Sequence, residues 1–166
     1  ILDVSRLEAD RVTFTFEECD VVPLCQRVLA SVSQARKSEN EFIFECDRES
    51  MDMRTDTQRL QQVIINLLSN ADKFTRITLG LKVDEKQRKV LFSVSDTGTG
   101  IPLEKQKLVF ERFEKLNEYV QGTGLGLSIC KLTVEKWGGE IWVDPGYTDG
   151  ARFVFTHPLD IEQPKK

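Results

Sequence analysis

The sequence predicts an α/β (α+β) fold, a two-layer sandwich in which helices cover one face of a mixed, mostly antiparallel sheet. Three observations predict this class. The 166 residues fit a single domain. Extended segments with alternating apolar residues often follow one another along the chain, and strands are expected to pair with their sequence neighbours. Amphipathic helical segments are interspersed among them, and each must bury its apolar side against another layer.

The first third of the chain alternates between helical and extended patterns. Residues 1–10 have helical spacing but are too few to form a stable helix alone. Residues 12–17 alternate and predict a strand, and Asp20 then predicts the cap of a helix with a proline in its first turn. Residues 41–47 predict a second strand, and residues 51–53 a short extended piece. Four strand phenylalanines are expected in the core, namely Phe14, Phe16, Phe42 and Phe44.

The strongest helical pattern begins near Thr55. Thr55 and Gln58 fit a capping box, although Asp56 is an alternative cap. An apolar face at helical spacing then extends through Phe74, and its other members are Leu60, Val63, Ile64, Leu67, Leu68 and Ala71.

Three polar residues lie close together on this predicted helix. At about 100° per residue, Asn66, Asn70 and Lys73 form a ridge at the edge of the apolar face, where side chains are half-buried. A solvated helix edge with incidental asparagines is one interpretation. The other is a face that binds a cation and phosphate, because an amide oxygen suits Mg²⁺ and a lysine ammonium suits phosphate oxygens.

The second half of the chain predicts two hairpins and one helix. Residues 76–84 and 89–96 form the first hairpin around a charged turn, and residues 140–144 and 151–157 form the second. Between them, residues 122–139 read as a glycine-rich turn that leads into a helix, which two glycines terminate. Trp137 and Trp142 are expected in the core.

Two glycine-rich turns are candidates for ligand binding. Asp96 ends a strongly apolar strand and is followed by Gly98 and Gly100, so the three residues lie at the mouth of the sheet. Glycines allow a ligand to approach the backbone closely, and a buried carboxylate can accept a hydrogen bond from an exocyclic amine. A plain Asp-Thr-Gly turn is the structural alternative.

The second turn, GTGLGLS, places three glycines immediately before a helix, where backbone N–H groups and the helix dipole favour anions. It is neither a Walker A loop nor GxGxxG, and a flexible linker is the alternative. Each motif alone is weak evidence, but the order in which the motifs follow one another is specific. An Asn/Asn/Lys helix is followed by DxGxG, a phenylalanine pair and GxGxG.

Composition excludes several classes of partner and site. The net charge is −4 without a basic run, which argues against nucleic acid. No apolar run approaches a membrane span and no signal peptide opens the chain, so no direct membrane contact is expected. The first residue is Ile1, which is typical of an excised fragment. With one histidine and no CxxC pair, reduced and mostly buried thiols are expected rather than a zinc site at the four cysteines, Cys19, Cys25, Cys46 and Cys130.

These motifs together resemble the ATP-binding catalytic domain of sensor histidine kinases, in the GHKL (HATPase_c) superfamily with its Bergerat-type fold. NLLSNADKF is similar to the N box, DTGTGIP to the G1 box, VFERF to the F box and GTGLGLSI to the G2 box. The resemblance implies a catalytic domain over residues 12–159. It also implies that residues 1–11 end a dimerisation and phosphotransfer helix and that residues 160–166 are a polar tail.

The resemblance further implies ATP and Mg²⁺ as cofactors, with Asn70 as the metal ligand. Asn66, Lys73 and Arg112 would serve the metal and phosphate side as the catalytic residues, and Phe110 and Phe113 would anchor a lid. The adenine would lie beside Phe74 and donate to Asp96. The full set implied to bind ATP is Asn66, Asn70, Lys73, Phe74, Asp96, Gly98, Gly100, Ile101, Phe110, Gly122, Thr123, Gly124, Leu125, Gly126 and Leu127.

The implied activity is transfer of the ATP γ-phosphate to a histidine on the upstream dimerisation domain, which then feeds a response regulator receiver domain in two-component signalling. Hydrolysing relatives carry a glutamate where this chain has Asn66, which cannot act as a general base. The expected location is a cytoplasmic domain of a membrane-anchored bacterial protein. A non-catalytic nucleotide-binding module and, less favoured, an ATP hydrolase are the alternatives.

Three features depart from the family pattern, and one of them is that the phosphate-accepting histidine is absent from this sequence. The lid between Phe113 and Gly122 is short, and Arg76 follows the N box at once. The only histidine, His157, lies in the last predicted strand, where a structural role is expected.

Overall fold

The computed structural model describes residues 14–36, 40–71, 75–111 and 126–160. Its elements in chain order are β1 (Glu17–Asp20), α1 (Val21–Arg36), β2 (Glu41–Cys46), β3 (Asp52–Thr55), α2 (Thr57–Ser69), β4 (Arg76–Asp84), β5 (Lys89–Ser95), two 3₁₀ turns (Leu103–Lys105 and Leu108–Phe110), α3 (Gly126–Lys136), β6 (Ile141–Val143) and β7 (Arg152–Pro158).

Five strands form one sheet in the order β2-β4-β5-β7-β6. Only β2 and β4 are parallel, and the other pairs are antiparallel, so the predicted mixed sheet is confirmed. Side chains alternate along β4, β5 and β7, and the set that includes Leu79, Phe92 and Phe155 joins the helices in the core. The opposite face is open along the row that includes Gly80 and Ser93. The helices therefore cover one face, as predicted.

Two predictions about the strands were wrong. β2 pairs with β4 rather than with its sequence neighbour, because α2 provides the crossover that a parallel connection needs. β3 pairs instead with β1 in a separate two-stranded sheet. The strand predicted at 12–17 begins only at Glu17, which lies opposite Thr55, since the partner strand ends there. Residues 14–16 are irregular, and residues 12 and 13 lie outside the described residues.

Helix α2 begins and ends differently from the main interpretation. Asp56, the alternative, is the N-cap, and its Oδ1 accepts from the Arg59 backbone amide at 3.1 Å. Thr55 cannot cap the helix because it ends β3 with its side chain buried. The helix stops at Ser69, and Asn70 is its C-cap. The predicted extension through Phe74 falls on residues 72–74, which lie outside the described part.

The core centres on an aromatic cluster between β5, β7 and α3. Phe92 and Phe155 stack with ring centroids 4.8 Å apart, and Trp137 packs against Phe155 at 6.1 Å. Trp137 is buried as expected, whereas Trp142 is only half-buried because β6 is the edge strand. The four phenylalanines assigned to the core, Phe14, Phe16, Phe42 and Phe44, are partly buried and pack against its rim.

His157 belongs to this core, and its structural role is confirmed. It is fully buried, its Nδ1 donates to the Pro158 carbonyl at 2.8 Å, and its Nε2 accepts from the Thr55 hydroxyl at 3.0 Å. Burial lowers the pKa of His157 to about 4. The imidazole therefore ties β7 to β3 in its neutral form.

The predicted glycine stop of the third helix is confirmed, whereas the prediction of mostly buried thiols holds for two of the four cysteines. α3 begins at Gly126 and is terminated by two glycines. Gly138, with φ 90°, donates its amide to the Glu135 carbonyl, and Gly139 donates its amide to the Val134 carbonyl. All four cysteines are free thiols; Cys25 and Cys130 are buried, and Cys19 and Cys46 are half-buried.

Candidate functional site

Asp96 lies immediately after β5 with 6% of its surface exposed. Its Oδ1 accepts from the Gly98 amide at 3.0 Å, which is the Asp-Thr-Gly turn foreseen as the structural alternative. The same oxygen also accepts from the Ala151 amide at 3.2 Å, and the Asp96 amide donates to the Ala151 carbonyl at 2.9 Å. A plain turn does not need these long-range bonds. They fix the orientation of a buried carboxylate at the mouth of the sheet.

Gly150 was missed by the sequence analysis and packs directly against this turn. A Cβ at this position would lie 2.2 Å from the Asp96 carbonyl oxygen, 2.7 Å from its Oδ1 and 2.7 Å from the Gly98 nitrogen. Gly100 has φ 78°, and a Cβ there would lie 2.9 Å from the Gly150 carbonyl oxygen. Both positions therefore require glycine, for close approach at Gly150 and for backbone conformation as well at Gly100.

Tyr147 in the β6–β7 loop and Arg152 at the start of β7 were also missed, and they support the same turn. The Tyr147 hydroxyl donates to the Asp96 carbonyl at 2.9 Å. The Arg152 guanidinium lies 4.2 Å from the centroid of the Tyr147 ring, and its Nε donates to the Ser95 hydroxyl at 3.0 Å. Burial raises the pKa of Tyr147, so the phenol remains a donor at neutral pH. No local sequence pattern links these residues to Asp96.

The C-terminal end of α2 presents the two asparagines, and both are half-buried, as the helical wheel predicted. Asn66 lies next to the thiol of Cys130 on α3. Burial raises the pKa of the Cys130 thiol to about 12, and the neighbouring Asn66 side chain opposes the shift. Cys130 donates to the Val63 carbonyl of α2 at 3.8 Å. Asn66 is thus placed where α2 meets α3.

Asn70 closes the helix, with its amide donating to the Asn66 carbonyl at 3.1 Å. Its side-chain Nδ2 is buried and has no hydrogen-bond partner within the described ranges 14–36, 40–71, 75–111 and 126–160. A buried donor of this kind is costly unless a ligand or water accepts from it. The end of α2 therefore has unfilled hydrogen-bonding capacity at the position predicted to meet the metal and phosphates.

The backbone on either side of residues 72–74 is held by α1 and by the segment that follows it. Arg36, the last residue of α1, donates to the Leu68 carbonyl at 3.0 Å and to the Ala71 carbonyl at 3.1 Å. Asn40 donates to the Thr75 carbonyl at 3.1 Å. These hydrogen bonds connect the C-terminal end of α2 to the C-terminal end of α1.

The remaining predicted residues in the described part lie after the Gly100 turn, in the second 3₁₀ turn and at the start of α3. Ile101 is half-buried, and Phe110 is 8% exposed and meets Phe153 edge-on with centroids 6.0 Å apart. Gly126 begins α3, and Leu127 behind it is buried. The other predicted site residues lie outside the described ranges, namely Lys73, Phe74, Arg112, Phe113, Gly122, Thr123, Gly124 and Leu125.

The described side chains offer little to a metal ion by themselves. Among the described residues, no group of three or more His, Cys, Asp or Glu could hold one. A neutral amide such as Asn70 is sufficient only for a cation that takes most of its ligands from water and phosphate, as Mg²⁺ does in nucleotide sites. No helix in the described ranges is long and apolar enough to cross a membrane.

The profile of the "Histidine kinase-, DNA gyrase B-, and HSP90-like ATPase" family matches residues 55–161. The chain belongs to this family. The match begins at the last residue of β3 and includes both α2 asparagines, Asp96 and α3, whereas Arg36 and Asn40 lie before it. β1, α1 and β2 lie before the matched region and complete the fold. ATP is the nucleotide that the family identity implies.

Similar proteins place the chain within the family. The adaptive-response sensory kinase SasA of Microcystis aeruginosa is 36% identical over 167 residues, which cover 96% of this chain and 43% of SasA. The catalytic domain of the histidine kinase ThkA superposes with a TM-score of 0.78 at 33% identity, covering 88% of this chain and 97% of that domain. The chain therefore corresponds to an ATP-binding catalytic domain of sensor histidine kinases, and it spans less than half the length of the curated relatives it matches.

Two further structures show such domains in larger contexts. Full-length ShkA in complex with AMPPNP matches with a TM-score of 0.84 at 26% identity, covering 98% of this chain and 35% of ShkA. ThkA in complex with the response regulator TrrA matches with a TM-score of 0.74 at 27% identity, covering 96% of this chain and 47% of that chain.

Proposed function

We propose that this domain binds ATP with Mg²⁺ and transfers the γ-phosphate to a histidine on a dimerisation domain that precedes it in the parent protein. The observation that carries this proposal is Asn66. An amide next to Cys130 stands where hydrolysing relatives place a glutamate, and it cannot activate water as a general base. Transfer of the γ-phosphate then requires a nucleophile from outside this domain.

Asp96 accepts a hydrogen bond from the adenine amino group in this proposal. Its carboxylate is buried and already oriented by two backbone amides, so little ordering remains to be done on binding. Gly98, Gly100 and Ile101 shape the adenine side. Phe110 and the predicted Phe74 contribute the apolar walls.

The phosphates lie at the end of α2. The chemistry of Asn70 fits Mg²⁺, because its amide oxygen is a hard neutral ligand and its buried N–H, which has no partner among the described residues, can donate to a phosphate oxygen. Bound Mg²⁺ would neutralise phosphate charge. Asn66 supports this side, and Lys73 and Arg112 add positive charge. The backbone of the G2 box closes over the phosphates, and its residues in this proposal are Gly122, Thr123, Gly124, Leu125, Gly126 and Leu127.

The division of the chain follows from this function. Residues 1–11 end the dimerisation helix, residues 12–159 form the catalytic domain and residues 160–166 are a polar tail. The acceptor histidine lies on the dimerisation domain, since His157 is buried and holds β7 to β3. A response regulator receiver domain is the downstream partner, in line with the ThkA–TrrA complex. The domain acts in the cytoplasm of a bacterium, within a membrane-anchored parent.

Mixing the protein with ATP, Mg²⁺ and a separate phosphoacceptor domain tests this proposal. Phosphohistidine on the acceptor is the expected result, and it should be lost when Asn70→Ala replaces the wild type. A chain that binds ATP without forming phosphohistidine would favour the non-catalytic signalling module. Steady phosphate release that survives Asn66→Ala but is lost in Asp96→Asn would favour an ATP hydrolase.

A further inference from the structure

We propose that Arg36 is a positioning residue for the phosphate end of the site. Its guanidinium holds the Leu68 carbonyl in the last turn of α2 and the Ala71 carbonyl just beyond the helix, and thereby sets the position of Asn70. The inference rests on the proposed function, because it assigns Arg36 a role that acts through Asn70. Arg36 lies on α1, before the region that the family profile matches.

The contact places the Arg36 guanidinium at the C-terminal end of α2, where a positive charge is favourable. Arg36 donates one N–H to Leu68 at 3.0 Å and another to Ala71 at 3.1 Å, so its two bonds flank Asn70 in the chain. The last carbonyls of a helix have no partner within the helix, and they carry partial negative charge. A planar guanidinium binds the Leu68 carbonyl, which also accepts from the Ala71 amide at 3.3 Å, and the Ala71 carbonyl beyond the helix. It does so in a fixed orientation that a lysine ammonium does not reproduce.

Packing alone leaves the end of α2 weakly held. Leu68 is fully buried, but Ser69 is exposed, and Asn70 and Ala71 are half-buried. Beyond Leu68 the helix closes with two backbone bonds, from the Asn70 and Ala71 amides, the second of them at 3.3 Å. The terminal turn of a helix frays readily when few contacts hold it. The two bonds from Arg36 supply the missing restraint.

The segment after Arg36 extends the same restraint across the N box. The Asn40 amide donates to the Arg36 carbonyl at 3.1 Å, and the Asn40 side chain donates to the Thr75 carbonyl at 3.1 Å. Ala71 and Thr75 stand on either side of residues 72–74 in the chain. The end of α1 thus fixes the backbone before and after the predicted phosphate contact at Lys73.

A titration with AMPPNP, with and without Mg²⁺, tests the inference on the whole chain. Arg36→Gln should weaken binding on the order of tenfold when Mg²⁺ is present, as loss of support for a metal ligand does. Without Mg²⁺, the affinity of Arg36→Gln for AMPPNP should stay near that of the wild type. Arg36→Lys keeps the positive charge but not the planar guanidinium with its two parallel donors, so it should also lose affinity for AMPPNP. Arg27→Gln, at an exposed position of the same helix, is the matched control.

A double-mutant cycle with Asn70→Ala shows whether Arg36 acts through Asn70. In the Asn70→Ala background, Arg36→Gln should cost little further affinity. Hydrogen exchange of the nucleotide-free protein gives a separate readout, because Arg36→Gln should speed exchange of the Asn70 and Ala71 amides. Fully multiplicative effects, equal losses with and without Mg²⁺, or wild-type affinity in Arg36→Lys would each overturn the inference.

The same experiment separates the two levels of the proposal. Faster exchange in Arg36→Gln with unchanged Mg²⁺-dependent affinity would overturn the positioning role and leave the proposed function standing. The other outcome is that Mg²⁺ does not change the AMPPNP affinity of the wild type and that Asn70→Ala binds AMPPNP as tightly as the wild type. That outcome would overturn the proposed role of Asn70, and the inference about Arg36 with it.

Discussion

The backbone amide of Ala151 donates to the carboxylate of Asp96 at 3.2 Å, joining residues that lie 55 positions apart in the chain. This contact adds a long-range restraint to the turn after β5. The orientation of the carboxylate, which the proposed function gives to adenine, depends on the β6–β7 loop as much as on the turn itself.

Asp96→Asn should keep the fold but weaken ATP binding. The asparagine Oδ1 can accept from the same two amides, so the turn survives. The other group then becomes an N–H donor where the adenine amine also donates, which should cost roughly 1–3 kcal/mol of binding free energy. Calorimetric titration measures this loss, with thermal unfolding as the check that the fold is intact. An unchanged ATP affinity would remove Asp96 from the site.

Gly150→Ala should damage both stability and binding. Its Cβ would meet backbone atoms of Asp96 and Gly98 that cannot rotate away, and such overpacking costs typically about 1–3 kcal/mol of unfolding free energy. Denaturant unfolding measures the loss. Gly146→Ala is the matched control in the same loop, since its Cβ would lie 3.4 Å from the nearest atom, a side-chain oxygen of Asp144. Equal stability of the two variants would contradict the close approach.

Tyr147→Phe should remove one hydrogen bond and leave the ring against Arg152 in place. The Asp96 carbonyl loses its donor, which should lower the unfolding free energy by about 1 kcal/mol. ATP affinity should fall less than in Asp96→Asn, because the carboxylate itself stays oriented. Denaturant unfolding and nucleotide titration, run side by side, check both expectations. A variant as stable as the wild type would show that the bond contributes nothing.

His157 should make the fold sensitive to acid. Its pKa is about 4 in the folded protein and about 6.5 when unfolded. Between these values the unfolded chain binds more protons, so stability is fully present above about pH 6.5 and is lost as the pH falls towards 4. The full loss is on the order of 3 kcal/mol, since one pKa unit corresponds to about 1.4 kcal/mol.

Urea unfolding between pH 7.5 and 4.5 measures this effect, with His157→Gln as the control. Glutamine can make comparable hydrogen bonds but does not titrate. The wild type should therefore lose more stability than the variant over this range. Parallel pH profiles for the two proteins would assign the acid sensitivity to the carboxylates instead.

Much of the site could be predicted because its signals are local. Asp56 caps α2 through its own side chain, and the spacing of Leu60, Val63, Ile64 and Leu67 identifies the buried face without knowledge of the rest of the fold. The half-buried position of Asn66 follows from the same geometry. Local periodicity and turn chemistry determine these features, so they can be read from a short stretch of sequence.

The missed features depend on distant pairing. Nothing near Tyr147 or Gly150 shows that their loop meets Asp96, which is more than fifty residues away. β2 pairs with β4 across an intervening strand and helix, whereas alternation within a strand does not identify its neighbour. Arg36 shows the same limit, since an arginine at the end of a helix can face water or a second helix equally well.

The pairing of β5 with β7 has a consequence for the order of folding. The β4–β5 hairpin joins adjacent strands and closes a short loop, whereas β7 must return over some sixty residues to pair with β5. Contacts of that separation close a long loop, and the chain entropy that this costs slows folding. The bond from Ala151 to Asp96 belongs to this long-range pairing. During synthesis on a ribosome, the α2 asparagines are made well before β7, so the Asp96 carboxylate can be oriented by Ala151 only after β7 has been added.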